Sequence, residues 1–187
     1  PTKYIGARYN KTDAHSFSKS FGWSIKEQES DKWRRVVASP MPKYIMHGKS
    51  IKSLVNRGTI VIASGGGGIP VFNNVSGHLE GLDGVIDKDY TAAKLGRIIR
   101  ATELWIITDV DYIYQDFGKP SQKPIKNISI QELEKQYETG KFQNGSIAPK
   151  IKAAIHFLKY HGKKVIITSI TCIKDAINGK AGTIIRN

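Results

Sequence analysis

The 187-residue sequence predicts an α/β fold: a mainly parallel sheet with helices covering both faces, a three-layer α/β/α arrangement. Three observations lead there. Candidate strands and helices alternate along the chain. The strands, such as "TIVIAS" and "KVIITS", are near-continuous Ile/Val runs, as expected where both sheet faces are buried. One of these runs leads straight into Gly65, Gly66, Gly67 and Gly68, bare backbone at the strand end where α/β proteins bind ligands.

The elements follow in order. Residues 12–22 form a short helix, capped by Thr12 or Asp13 and ended by Gly22. "WSIKEQE" and "KWRRVVAS" make a hairpin turning at Ser30 and Asp31, with Trp33, Arg35 and Val37 on one face. "SPMP" breaks the chain at 39–42, and a helix runs from cap Ser50 to Gly58. "TIVIAS" is then a buried strand. "GVID" is a short strand entering a helix capped by Asp87, with Ala92, Leu95, Ile98 and Ile99 as its apolar face. "ELWIITDVDYIY" is one strand with an acidic end. "SIQE" at 129–132 is a capping box opening a helix through Tyr137. The next helix has Pro149 near its first turn and stops at Gly162. "KVIITS", a helix over "TCIKDAING" and a strand "GTIIR" complete the pattern.

Composition narrows the function. No apolar run approaches the roughly 20 residues of a membrane span, and the first residues lack a signal-peptide core. A single cysteine, Cys172, leaves no internal disulfide and fits a reducing, cytoplasmic location. The net charge of +13 raises nucleic acid as a partner. The basic residues are scattered singly, however, with no RGG run, zinc-finger spacing or basic-region helix, so specific nucleic-acid binding is not expected. A site for an anionic small molecule explains the charge as well. The five histidines have no metal-ligand spacing, so no protein-built metal site is expected.

The glycine run matches neither G-x-x-x-x-G-K-[ST] nor G-x-G-x-x-G, and a plain flexible loop competes with a phosphate loop as its explanation. Three charged segments lie at strand ends or helix starts: Asp87-Lys88-Asp89, Thr108-Asp109-Val110-Asp111 and Gly145-Ser146-Ile147-Ala148-Pro149-Lys150. Each has an ordinary structural explanation as a cap or polar strand end. Together they say more. Lys88 and Lys150 both occupy a first helical turn, where the macrodipole disfavours a cation unless an anion offsets it. Two such lysines with a glycine loop suggest several phosphate oxygens in one site.

The ordered fragments "PTKYIGARY", "RRVVASP", "IVIASGGGGIPV", "GVIDKD", "LWIITDVDYIY", "FGKPSQKPI", "GSIAPKIKAAI" and "GKAGT" resemble the carbamate kinases of the amino-acid-kinase superfamily over essentially the whole chain. The resemblance implies reversible phosphoryl transfer between carbamoyl phosphate plus ADP and ATP plus carbamate, with Mg2+, in arginine catabolism (the arginine deiminase pathway). It implies that Lys88 and Lys150 contact phosphates and that Asp89 holds the lysines. Lys3 would reach over from a protruding, lid-like subdomain at 1–45, and 46–187 would be the nucleotide-binding part. Thr108, Asp109, Asp111 and Tyr114, with Ser146 and Lys150, would line the nucleotide pocket. Gly65, Gly66, Gly67 and Gly68 would lie against the substrate. A homodimer is the implied assembly.

The sequence departs from that family in two places. Tyr4 and Ala7-Arg8 replace a proline and a Pro-aromatic pair, which alters the packing of the lid. The family's N-terminal stretch, with its glycine-rich loop and several strands, has no counterpart before Pro1. Without it a parallel sheet keeps an open edge and the phosphate cradle is partial, so weak turnover is expected of this chain alone. A nucleotide-binding fragment without turnover is the alternative, and a basic nucleic-acid-binding protein a further one.

Overall fold

The computed structural model describes residues 2–142 and 146–187. The chain forms two compact units, Pro1–Pro42 with Gly66–Asp87, and Lys43–Gly65 with Lys88–Asn187. Residues 66–87, which the sequence reading assigned beyond the lid boundary at 45, cluster with the first unit.

The first unit holds strands β1 (Lys3–Tyr9), β2 (Ile25–Glu29) and β3 (Lys32–Val37), ordered β1-β3-β2 and antiparallel throughout. The hairpin turns at Asp31, in the left-handed region at φ 52°. Helix α1 (Lys11–Phe21) begins one residue earlier than expected. Asn10 is its cap, because the Asn10 side chain accepts the Asp13 N–H, and Gly22 ends it at φ 66°. Phe17 on α1 packs edge-on against Tyr9, 5.0 Å between ring centres. A small hairpin, β4 (Val71–Asn73) with β5 (Leu79–Gly81), follows the glycines. The expected strand over "GVID" is a single parallel bridge between Ala38 and Gly84.

The second unit opens with helix α2 (Gly48–Asn56), which starts before Ser50 and packs on helix α3 (Lys88–Ile99), with Gly48 lying against Ile98. Strands β6 (Glu103–Thr108), β7 (Ile113–Gln115), β8 (Lys123–Ile125) and β9 (Asn127–Ser129) come next. Then come helices α4 (Ile130–Glu138) and α5 (Ile147–Leu158), strand β10 (Lys164–Ser169), helix α6 (Ile173–Ile177) and strand β11 (Thr183–Arg186). The expected single strand over "ELWIITDVDYIY" is broken: β6 ends at Thr108, and β7 pairs instead with β8. The Ser129 cap is as expected, its hydroxyl accepting the Glu132 N–H at 3.2 Å.

The sheet runs β6-β10-β11-β9 and is mixed, with two of its three pairings parallel. β6 and β10 are parallel, β11 and β9 are parallel, and β10 and β11 are antiparallel. The connection through α6 brings the chain back beside the end it left: Thr183, at the start of β11, pairs with Ile167 near the end of β10.

Alternation along β10 separates two cores. Val165 and Ile167, with Ile106 and Ile185, face α3, α4 and α5. Ile166, with Trp105 and Ile184, faces Ala176 of α6. On α3 the buried stripe is Asp89, Ala93 and Gly96, at i, i+4 and i+7, not the expected Ala92-Leu95-Ile98-Ile99 face. Small residues win that face because α5 lies on it: a Cβ at Gly96 would sit 2.8 Å from the Phe157 ring. Gly162 is held to glycine by the other side of the same ring, 2.3 Å from such a Cβ.

The "TIVIAS" segment is not in a sheet, and Ile60 and Ile62 are 94% and 98% exposed. β propensity needs neighbouring strands to become a strand, and the described residues supply none beside it.

Where α3 and α5 pack, His156 sits with its imidazole held below its ordinary 6.5 by burial first, then by the charges of Lys94 and Arg97. The unfolded chain therefore takes up the proton first. This contribution to stability is full above pH 6.5 and is lost as pH falls below it, towards the depressed folded value. We expect Tm to fall between pH 6.5 and 5, and His156→Gln to flatten that slope. An unchanged slope in the variant would assign the loss to other groups.

Candidate functional site

In the second unit, the chain leaves the carboxyl end of β6 through Thr108 and Asp109, turns, and returns as β7. Thr108, Asp109, Val110, Tyr112, Ile113 and Tyr114 line one side of a pocket of about 510 Å3. Gln115, Asp116, Phe117, Lys119, Gly140, Lys141 and Phe142, with Ser146 and Ile147 at the start of α5, complete it. This wall combines aromatic rings, Lys141, a Lys119 paired with Asp116 at 3.7 Å, and a helix N-terminus. Such a wall suits a ligand with a flat apolar part and a negatively charged part.

The electrostatics agree. The Thr108 hydroxyl donates to Asp109 at 2.9 Å, and that bond, a backbone N–H and the charge of Lys150 hold the Asp109 carboxyl below the usual carboxylate range. Asp109 is thus an exposed anion at neutral pH. Burial raises the Tyr114 phenol, with Asp111 and Tyr112 adding to the effect, so it stays a neutral hydroxyl. Asp111 does not line the pocket. It accepts from the Ser169 hydroxyl, which lowers its carboxyl most, and Ser169 also accepts the Cys172 N–H at 3.2 Å. Asp111 therefore ties the β6–β7 turn to the end of β10, a positioning role.

One turn along α5 from the pocket lies Lys150. Its Nζ donates to Asp89 Oδ2 at 3.0 Å, and both residues are only 6% exposed. Position explains the pair. Lys150 is the fourth residue of α5, near the positive helix end, where a cation is disfavoured. Asp89 is the second residue of α3, where an anion is favoured. The buried carboxylate is thus an internal anion that offsets the lysine's cost. Lys88, beside it in sequence, is exposed. Helix position alone suggests an external phosphate as the offsetting anion; in the structure Asp89, the residue that the resemblance implies, pairs with Lys150.

In the first unit, Lys3 Nζ donates to Asp87 Oδ2 at 2.6 Å, with Asp87 buried. The glycines serve this unit's backbone. Gly67 is buried at φ 132°, and a Cβ there would lie 2.1 Å from the Ile86 carbonyl oxygen. Gly65 and Gly68 adopt φ 48° and 89° in open space, and Gly66 is open as well. One of the four is therefore required by close approach and two by backbone conformation.

The structure gathers Thr108, Asp109, Tyr114 and Ser146 in one pocket and pairs Lys150 with Asp89. Gly145 lies outside the described residues. The sequence reading missed Phe117, Lys119, Lys141 and Phe142. The aromatic residues following "TDVD" were a signal for Phe117, while Phe142 is brought in only by tertiary folding. Among the described residues no cluster of three or more His, Cys, Asp or Glu could hold a metal ion. No helix among them is long and apolar enough to cross a membrane.

The model of the amino acid kinase family matches residues 8–169. The chain is 43% identical over 188 residues to carbamate kinase 3 of Staphylococcus aureus (strain USA300), covering 100% of this chain and 60% of that protein. It is 46% identical over 184 residues to the carbamate kinase of Clostridium perfringens (strain 13 / Type A), covering 98% and 58%. Among solved structures, carbamate kinase from Giardia lamblia bound to AMP-PNP matches with a TM-score of 0.88 at 35% identity, covering 100% of this chain and 59% of that one. The chain is thus a homologue of carbamate kinases and spans about 60% of the length of the curated relatives it matches.

Proposed function

This chain belongs to the amino acid kinase family, and we propose from that premise that it holds the nucleotide in a carbamate kinase reaction. In that reaction a phosphoryl group passes reversibly between carbamoyl phosphate plus ADP and ATP plus carbamate. The observation that carries the reading is the pocket ending at Ser146 and Ile147, one turn from the buried Lys150–Asp89 pair.

Phosphoryl transfer asks a protein for positioning and charge neutralisation. In this reading Tyr114 and Phe117 hold the base, and the first N–H groups of α5 face the phosphates. Lys150, held by Asp89, supplies a fixed ammonium to the phosphate chain and neutralises the charge that shifts during transfer. Lys88, exposed at the start of α3, is a second phosphate contact. Lys3 is a third by the family pattern, and Gly65, Gly66, Gly67 and Gly68 give backbone approach to the substrate. Mg2+ keeps most of its waters and binds phosphates with one or two carboxylates, so the lack of a dedicated cage among the described residues is compatible with it. Asp109, ionised on the pocket wall, is the carboxylate that fits. When bound, the ion neutralises phosphate charge.

Calorimetry with Mg-ADP tests the reading. Binding in the micromolar range is expected, with Tyr114→Ala weakening both ADP and adenosine roughly tenfold through lost ring contact. No heat at high-micromolar folded protein would overturn the proposal. A coupled assay reading ATP from carbamoyl phosphate and ADP tests the transfer separately. ADP binding without turnover would make the chain a nucleotide-holding module.

A further inference from the structure

We propose that the C-terminal halves of α3 and α5, which pack together, carry a second anion site, built from Lys94, Arg97 and His156 and taking a phosphate-like oxyanion. Four observations support it. First, the Arg97 guanidinium carbon lies over the Tyr160 ring, 3.7 Å from its centre, a cation–π contact that positions the fork. Second, neither Lys94 nor Arg97 has an ion-pair partner among the described residues, whereas Lys159 nearby on the chain is paired with Glu134. Third, the His156 Nδ1 is buried and has no hydrogen-bond partner, while the ring packs 5.1 Å from Tyr160. A buried polar atom without a partner calls for one. Fourth, residues 139–164 contain no Asp or Glu at all, so this stretch of chain provides no internal anion.

The spacing supports a single built site. Lys94 and Arg97 are three apart on α3 and share a face of it, while Tyr160 lies two residues past the end of α5 with its ring against His156. Arg97 meets Tyr160, and both cations of α3 act electrostatically on His156. Arg97 and His156 are thus both set against the Tyr160 ring, and Lys94 stands one turn before Arg97 on α3. Positive charges gathered this way repel one another, and an oxyanion bridging α3 and α5 converts that repulsion into attraction.

This site is separate from the nucleotide pocket. His156 is nine residues beyond Ile147 on α5, about 14 Å along the helix axis. It lies on the two helices that carry Asp89 and Lys150, so an anion bound here would clamp the same helix pair.

The probe is inorganic phosphate, with succinate as the carboxylate arm and sodium chloride as the ionic-strength control. The readout is the His156 imidazole signal in protein with labelled histidines, titrated with pH at each ligand concentration. Saturable binding of phosphate should move the His156 titration to higher pH, because an adjacent anion favours the imidazolium. Arg97→Gln should weaken phosphate roughly tenfold. A response to phosphate alone assigns a phosphate site, and equal responses to phosphate and succinate assign a general oxyanion site; either supports the proposal. A shift no larger than that caused by chloride overturns it. So does phosphate binding that Arg97→Gln leaves intact. Lys94→Gln is the second variant should Arg97→Gln fail to fold, and circular dichroism decides which is used.

Discussion

Lys150→Met is expected to lower the unfolding free energy by about 3–5 kcal/mol. The mechanism is the carboxylate left behind. Asp89 is 6% exposed, and removing the ammonium takes a counter-charge away from a buried carboxylate. Lost attraction is the smaller part; the desolvation of Asp89, compensated less fully, dominates. Two further variants isolate that cause. Asp89→Leu, which leaves the ammonium buried, should also be strongly destabilising. The double variant Lys150→Met with Asp89→Leu should recover much of the loss, since two apolar side chains strand no charge. Urea denaturation of the four proteins measures this. Additive losses in the double variant would mean the two side chains do not act as a pair. Wherever Lys150→Met remains folded, it should also weaken ADP more than adenosine, because it removes phosphate charge and leaves the base pocket intact.

Gly67→Ala is expected to cost about 3 kcal/mol or more, while Gly66→Ala one position away should be neutral or slightly stabilising. At Gly67 the added methyl would sit 2.1 Å from the Ile86 carbonyl oxygen, and φ 132° is a conformation that alanine rarely adopts. Backbone stands on both sides of that contact, so no flexible side chain can swing away. At Gly66 a Cβ meets nothing within 4 Å and φ is ordinary, so alanine only reduces the freedom of the unfolded chain. Thermal unfolding of the two variants decides the matter. Equal effects would show that the glycine run is needed for flexibility as a whole, and not for one close approach.

Where the chain itself supplies the partner, the sequence was enough. The Ser129 cap, the Gly22 terminator and the β2–β3 hairpin are all local, and each was legible from a few residues. The strands of three residues were not, because β7, β8 and β9 are too short to show a period. The polarity of β11 was hidden as well: it depends on the end of β10 to which the chain returns, which composition does not set. In the pocket, Thr108, Asp109, Tyr114 and Ser146 were anticipated through the family pattern, but Phe142 arrives by tertiary folding alone. The anion that neutralises Lys150 was legible only through the family pattern, not from spacing. Asp89 is 61 positions away, and only the packing of α3 on α5 makes the two neighbours. Small residues at Ala93 and Gly96 permit that packing, and a search for large apolar residues passes over them.

The bare isoleucines at 60 and 62 make this chain a poor candidate for concentration in its isolated form. A flat, uncharged, β-prone stretch open to solvent is a template on which other molecules can assemble into insoluble fibrils or amorphous deposits. Placing a lysine at position 62 should delay turbidity on warming without touching any group assigned to the chemistry.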